Sequence, residues 1–564
     1  MNKNKTMSYS IFPAKAMKPL LVVLLAALVP LDVQAATPDA GSILQEIKPA
    51  RPALPSSGET GLTVEQKDRA KLPETAPFEV KRIEIVGHTL FDIATLHALV
   101  ANAEGQKLSL SQLEDAVARI TEHYRSRGYP LARAVIPAQA IRDGVVRVQV
   151  IEAQYGKIGI VNRSEVGDDL LKATLAALQS GQVISQEKQD RPLLLLSDVP
   201  GVSVSATLKP GAAVGTSDME VDVEHVAAVA GNVLLDNYGN RYTGKVRLGG
   251  SVHLINSARH GDVVSLTVLS SGSGLSYGKA SYDILLNGQG THAGAAYSAL
   301  SYSLGDTLAA LQGHGTARIG SLWLKHPMVR SSDVNLYGLL EYSQKQLQDR
   351  IDVGNIQTDR SLRGWTVSLN GDLRDSLLSG GINTWKLDLI SGNVGFDNAA
   401  ARLADAAAGQ TEGGFTKWDA SYTRLQRLND TNTLYFAVYG QWTKRNLDSS
   451  ERLSVGGAST VRAYDMGAVS GDAGYVLNLE LRHELAQGWQ ATAFLDSADV
   501  TVNRNPWVAG ANTASLNGAG IGFNWTSADR WGVRACIASR VGPSPALAGN
   551  ASSIRGWIEI SRGF

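Results

Sequence analysis

From about residue 231 to the end, apolar and polar residues alternate in short segments separated by Gly, Asn, Asp and Ser. Tyr475, Leu477, Leu479 and Leu481 share one face of such a segment, and Asn478, Glu480 and Arg482 share the other. Ala519, Ile521, Phe523 and Trp525 alternate with Gly518, Gly520, Gly522 and Asn524 in the same way. A period of two is that of a strand, and segments of roughly ten residues match strands that cross a bilayer. The pattern predicts a transmembrane β-barrel over 230–564, apolar outside and polar within. Such a barrel survives in lipid because every strand is paired. At about 21 residues per tilted strand and connection, the region holds about sixteen antiparallel strands. Tyr435, Trp442, Tyr475, Trp489 and Trp557 fall near strand ends, as aromatic girdles do. A large soluble all-β domain is the competing reading, and it would require longer continuous hydrophobic runs for its core.

The preceding region has a different texture. In residues 77–153, FEVKRIEIVG reads as a strand ending at Gly87. Leu110, Leu113, Val117, Ile120 and Tyr124 then share a helical face, with Ser109 and Gln112 spaced as a capping box and Gly128 as a stop. ARAVIP and VVRVQVIE follow as two strands. Residues 154–229 repeat the order: KIGIV is a strand and Asp168–Leu178 is helical. LLLLSDVPG is an apolar stretch, and VSVSATLKPG and MEVDVEHV are strands. Two successive α+β units of one order form an internal repeat. An ordinary soluble two-domain region would share this texture.

At the N-terminus, Lys3, Lys5, Lys15 and Lys18 precede a short apolar core, Leu20–Val29, and the small-residue run Val33-Gln34-Ala35-Ala36. Residues 1–36 read as a secretory signal peptide, because the core is shorter than the ~20 residues a spanning helix needs. An uncleaved membrane helix is the alternative. Residues 37–76 are rich in proline and read as tail and linker. A short helix at Asp39–Lys48 competes with disorder there, since Asp39 can cap it and Ile43, Leu44 and Ile47 share a face.

Formal net charge is zero, which gives nucleic acid no electrostatic footing, and the lone Cys536 cannot form an internal disulfide. The chain has no nucleophile elbow, paired-carboxylate pattern, phosphate-cradling loop or CxxC. No catalytic residue, cofactor or metal site is therefore expected. The distinctive stretch is ERLSVGGASTVRAYDMG, Glu451–Gly467, within a long loop 444–473 between two strand-like runs. Long specific loops are usually functional. The following strand carries Asp496, which by alternation shares the lumen face with Gln490, Thr492 and Phe494. Arg462 on the loop and Asp496 on the wall can then form a latch. Each has a plainer reading, as a solvated loop charge and as one lumen acid among many.

Taken together these features resemble the ShlB/FhaC/HecB hemolysin secretion and activation family of two-partner secretion transporters. The resemblance rests on the signal segment, the two units, the barrel and two motifs. The family's Val-Arg-Gly-Tyr corresponds to Val461-Arg462-Ala463-Tyr464, and its Phe-x-Asp-x-Gly to Phe494-Leu495-Asp496-Ser497-Ala498. Alanine stands for glycine in both, which predicts a different turn at the loop tip. The resemblance implies periplasmic POTRA domains and a loop folded into an outer-membrane pore, set between the eleventh and twelfth strands. The substrate it implies is a large adhesin- or hemolysin-like exoprotein, recognised in the periplasm through an N-terminal secretion domain. Phe564 would be the signal read by the barrel-assembly machinery. Outer-membrane lipid and that machinery are the other implied partners, around a monomeric pore. The edge strand with Arg133 and Val135, and the helix with Leu113 and Val117, are the expected partner groove. The alternatives are an assembly factor that inserts other barrels and, more remotely, a barrel enzyme.

Overall fold

Alternation in Val145–Ile151 buries Val146, Val148 and Val150 and exposes Arg147 and Gln149. In the computed structural model, which describes residues 37–47, 61–64, 75–549 and 552–564, this strand is the centre of a three-stranded sheet. Arg82–Val86 lies parallel on one side and Arg133–Val135 antiparallel on the other. The helix Leu110–Ser126 starts with the expected capping box: the Ser109 hydroxyl accepts from the Gln112 amide, and the Gln112 side chain accepts from the Ser109 amide. It covers the sheet together with the helix Ile93–Val100. Leu113 and Val117 belong to this core, buried beside Ile120 and Tyr124. That corrects the expectation that they line a partner groove. A sheet of three short strands has no other apolar face to cover, so the helix spends its whole apolar stripe on it. Arg133 and Val135 remain on the edge strand.

The second unit places the helices Asp168–Leu175 and Gln186–Ser197 over the strands Gln154–Arg163, Val202–Pro210 and Thr216–His225. The leucine run of residues 193–196 is the end of that second helix and is buried on every side. A fourth strand was not expected. Leu62–Val64, from the stretch read as linker, pairs in parallel with Val202–Pro210, Leu62 opposite Ala206 and Val64 opposite Leu208. Three residues are too few to show a period, so nothing in the local pattern marks them as strand.

Sixteen strands, from Val229–Asp236 to Ile554–Gly563, close into one antiparallel barrel. Closure comes from the pairing of residues 232–236 with 559–563, extended by Phe564 and Gly231, which exchange two backbone hydrogen bonds at 3.0 and 3.2 Å. Leu322, Trp365, Leu481, Ile521 and Phe523 point outward and are exposed, a face suited to lipid rather than water. Trp442, Tyr475 and Trp489 also face outward, but Tyr435 and Trp557 are buried on the lumen side and leave the expected girdle. The second unit is fastened to the turn after the sixth strand, Gly313–Arg330. The Arg330 guanidinium grips Asp198 at 2.6 and 2.8 Å, and Arg191 donates to the Pro327 carbonyl at 2.9 Å. This fixes the second unit at the end of the barrel where the turns are short. The signal segment lies outside the described residues.

Glu152 at the end of the first unit ties its loop to its helix. It accepts from the Thr89 and Leu90 amides at 2.8 and 2.9 Å and from the Tyr124 hydroxyl at 2.7 Å. Burial alone would raise its pKa, but the Thr89 side-chain and backbone bonds lead the contacts that outweigh it and hold the carboxyl below its ordinary value. A depressed pKa contributes stability that is fully present above the unfolded value and lost as pH falls through the folded one. Amide protection of Thr89 and Leu90, read by hydrogen exchange in the full chain, should hold at pH 6 and decline only once pH falls below the ordinary glutamate range. Glu152→Ala should abolish that pH dependence and cost about 1–3 kcal/mol of local stability, since two amides lose their acceptor.

Candidate functional site: the loop and helix inside the barrel

The eleventh strand, Asn432–Thr443, and the twelfth, Ala473–Ala486, are joined by a long loop, as the sequence predicts. The loop does not extend into solvent. Its two arms pair as a small hairpin, Leu453–Val455 with Val469–Gly471, and Val461, Ala463 and Tyr464 at its tip are fully buried. They pack on the barrel wall with Val476, Phe494, Ala498, Leu516 and Ala538. The loop turns at Gly456 and Gly457, with φ of +104° and +103°. A Cβ on Gly456 would lie 2.2 Å from the Asp465 carbonyl oxygen. Ala463 and Ala498 both keep negative φ, so neither position demands glycine. The substitution is absorbed by the wall: Ala463 faces Gly518, where an added Cβ would lie 2.7 Å from that of Ala463.

Arg462 meets Asp496. Its Nε donates to Oδ2 at 2.8 Å, its Nη2 to Oδ1 at 2.6 Å and its own amide to Oδ2 at 3.0 Å. This is a bidentate fork with a third bond that fixes the backbone as well as the side chain. The remaining guanidinium nitrogen donates to Glu480 at 2.9 Å, and the guanidinium lies 3.4 Å over the Phe494 ring centroid. Asn478 bridges the pair, donating to Asp496 and to the Thr460 carbonyl at 2.7 Å each. Trp557 closes the ring by donating its indole N–H to the Arg462 carbonyl at 2.7 Å. Thus Val461, Arg462, Tyr464, Phe494 and Asp496 all come together. Sequence reasoning missed Glu480, Asn478 and Trp557 as members. The first two carried only the signal of a polar strand face, and Trp557 looked like a lipid-facing aromatic.

A second element shares the lumen. The helix Ala40–Glu46 is capped by Asp39, whose side chain accepts from the Ser42 amide at 2.8 Å. Ala40, Ile43 and Leu44 are buried against Leu300, Tyr302, Leu347 and Leu362 of the wall. Arg360, on the eighth strand Ile356–Asp375, collects three carboxylates: Asp39 of the helix at 2.9 Å, Asp349 of the wall at 2.6 Å and Asp448 of the loop at 2.8 Å. Ser449 donates to Asp39 at 2.7 Å, and Gln45 donates to the Ser450 carbonyl. Helix and loop also touch at Gly41, where a Cβ would come within 2.5 Å of the Ser450 amide nitrogen. Beside them 1470 Å³ of lumen stays open, lined in part by Glu46, Arg462, Glu480, Arg482, Arg534 and Glu559. Among the described residues, no group of three or more His, Cys, Asp or Glu is placed to hold a metal ion.

Two α+β units fastened to a sixteen-stranded barrel, with a loop bolted inside it, define an outer-membrane translocation barrel with its units in the periplasm. Comparison with known proteins makes this specific. Residues 215–525 match the family model of haemolysin secretion/activation protein ShlB/FhaC/HecB, and residues 78–153 match that of the ShlB-type POTRA domain. The chain belongs to the ShlB/FhaC/HecB family, and it is an outer-membrane transporter of the two-partner secretion type. It is similar to the heme/hemopexin transporter protein HuxB of Haemophilus influenzae strain 86-028NP, at 25% identity over 93% of this chain and 95% of that one. The solved structure of CdiB from Escherichia coli superposes with a TM-score of 0.67 at 21% identity, covering 90% of this chain and 94% of that one. BamA from Haemophilus ducreyi lacking POTRA domains 1–3 shares the fold, with a TM-score of 0.52 at 14% identity, over 86% of this chain and 100% of that one.

Removing Arg462 leaves Asp496 buried without its cation, a change that typically costs about 3–5 kcal/mol, while Glu480 keeps Arg482 at 2.6 Å. Arg462→Ala should release the loop and reduce secretion while the barrel still inserts. Arg462→Lys should be tolerated only in part, because an ammonium cannot span Asp496 and Glu480 as a planar fork. Arg462→Asp combined with Asp496→Arg should secrete better than either charge reversal alone, after correction for barrel abundance. A double variant no better than the worse single would dissolve the latch.

Proposed function

We propose that the chain exports one large adhesin- or hemolysin-like exoprotein, threaded unfolded through the barrel and captured first in the periplasm by its N-terminal secretion domain. The observation that carries this reading is the way the lumen is filled. Loop and helix block it through ion pairs and hydrogen bonds as much as through apolar contact. A filling of that kind can be exchanged for water or for a passing polypeptide, whereas a continuous apolar core cannot. The Arg462 latch holds the closed state and gives way when substrate enters. Arg133 and Val135, on the edge strand of the first unit, offer one place where an extended segment can add as a strand. Phe564, in the strand that closes the barrel, is the feature offered to the barrel-assembly machinery, and the pore acts as a monomer. The chain has no enzymatic step in this cycle.

Insertion of other barrels is the second reading. The short seam of residues 232–236 with 559–563 favours it, since so few pairs hold the first strand to the last. The two readings part on a deletion. Removing residues 78–153 should abolish export of the partner and leave the chain's own barrel and the other outer-membrane barrels at normal abundance in membrane fractions. Normal secretion by that deletion strain would remove the capture role. Loss of unrelated barrels would favour insertion.

Conductance tests the filling directly. Planar-bilayer recordings of the wild type should show a mostly obstructed pore. Deletion of residues 451–467 should raise conductance severalfold, and deletion of residues 39–48 should raise it as well. Unchanged conductance in both would mean that loop and helix do not obstruct the ion path.

A further inference from the structure

On three adjoining strands the outward side of the barrel turns from apolar to polar at one cross-strand register. These are the sixth strand, Gly313–Arg330, the seventh, Val334–Ile351, and the eighth, Ile356–Asp375. Leu322, Tyr342 and Trp365 stand side by side in the last apolar row. In the next two rows, away from the periplasmic units, Gln344 pairs with Arg363 and Arg318 with Gln346. All four side chains are exposed, and none has a hydrogen-bond or ion-pair partner among the described residues. Farther out, Arg350 and Asp359 meet at 2.7 Å, so charge on this face is paired where a partner exists. Arg318 and Arg363 therefore stand uncompensated at the level where an aromatic row gives way to polar residues, which is where lipid headgroups lie. Two strands and one row separate them, about 12 Å between Cα atoms.

A groove of 740 Å³ leads away from Arg318 along the outside of the wall, with Gly278 and Ala299 in its floor and Val233, Leu248 and Val268 at its far end. Val233, Val268, Gly278, Ala299 and Arg318 belong to one cross-strand row. Beyond Val233 the row reaches Arg562, which lies over the Trp531 ring at the periplasmic rim. Strands about 4.8 Å apart and tilted about 40° make such a row climb about 3 Å per strand, so Arg318 stands about 15 Å above Val233. The groove thus descends from the outer headgroup level into the bilayer, which is the course of an acyl chain. We propose that this wall binds a phosphorylated, multiply acylated glycolipid of the outer leaflet. Arg318 and Arg363 each take a phosphate, Gln344 and Gln346 face its sugars, and the groove holds an acyl chain. A guanidinium fork matches phosphate oxygens in pairs. An arginine on the lipid face is costly at mid-bilayer and cheap at the interface, the level these two occupy.

The test uses the purified full chain in neutral detergent, with lipid binding read by native mass spectrometry. The wild type should bind bisphosphorylated lipid A at least tenfold tighter than dephosphorylated lipid A, and at least tenfold tighter than phosphatidylglycerol. Arg318→Ser with Arg363→Ser should weaken lipid A binding at least tenfold. Gly278→Leu leaves both arginines and meets open space at its Cβ, so it fills the groove without a clash and should weaken binding at least threefold. Lys107→Ser with Lys188→Ser removes the same charge from exposed positions on the periplasmic units and should bind as the wild type does. Heat-dependent gel mobility checks that each barrel is closed, and Arg318→Gln with Arg363→Gln replaces the serine pair if that pair does not fold. Unchanged binding by the arginine variants overturns the proposal. So does an equal loss in the lysine variant, which would reduce the effect to net charge, or equal binding of phosphatidylglycerol, which would reduce it to any anionic lipid. Unchanged binding by Gly278→Leu overturns the acyl-chain groove. No arm needs transport, so the result stands apart from the export reading.

Discussion

A guanidinium taken out of water inside a barrel must be met by carboxylates, and the interior of this protein is arranged around two that are. Arg462 holds Asp496 and Glu480, and Arg360 holds Asp39, Asp349 and Asp448. Desolvation offsets much of what such pairs gain, so their main contribution is register: the partner has one acceptable position. The loop tip and the helix each carry a small apolar surface, Val461 and Tyr464 in one case, Ile43 and Leu44 in the other. Those surfaces alone would allow sliding. The charges decide where each comes to rest.

The two centres are not independent. Asp448 and Ser449, at the start of the loop that ends in the Arg462 latch, are also where the N-terminal helix is fastened. Farther along, Glu451 faces Lys417 and Lys345 of the wall. A shift of the loop base therefore changes the seat of the helix, and loss of the helix leaves Arg360 with one carboxylate fewer. The far end of the same chain segment, Leu62–Val64, lies on the second periplasmic unit. One stretch of polypeptide thus touches the lumen and the periplasmic arm, with the fifteen residues 47–61 between Glu46 and Leu62.

Much of this was legible in the sequence, and what was not has a physical reason. Period-two alternation reports strands faithfully, so the barrel could be read from the repeated segments after residue 231 and the inward direction of Asp496 from its own strand, Trp489–Thr501. The Arg462–Asp496 pair stood out because each residue lay in a motif. Glu480 and Asn478 did not, because a lumen-facing polar residue on a strand looks the same whether it binds water or a guanidinium. Alternation also fails to say which aromatic residues near strand ends face lipid, and Tyr435 and Trp557 turned inward for reasons of pairing: one stacks 4.3 Å under Arg482, the other caps the Arg462 carbonyl. Leu113 and Val117 show the opposite limit. Their helical spacing is equally compatible with a groove and a core, and only the size of the sheet beneath them decides.

The alanine at 463 has a meaning beyond the loop. Its methyl group occupies the space that Gly518 of the wall leaves open, so small size is a property of this contact rather than of one position within it. Loop and wall form a lock and key cut to each other. A loop with glycine there, grafted into this barrel, would leave a void of one methyl at its tip, and a wall with alanine at 518 would push this loop out of place. Exchanging such loops between relatives therefore requires exchange of the facing strand as well, and the unit that is inherited intact is the pair.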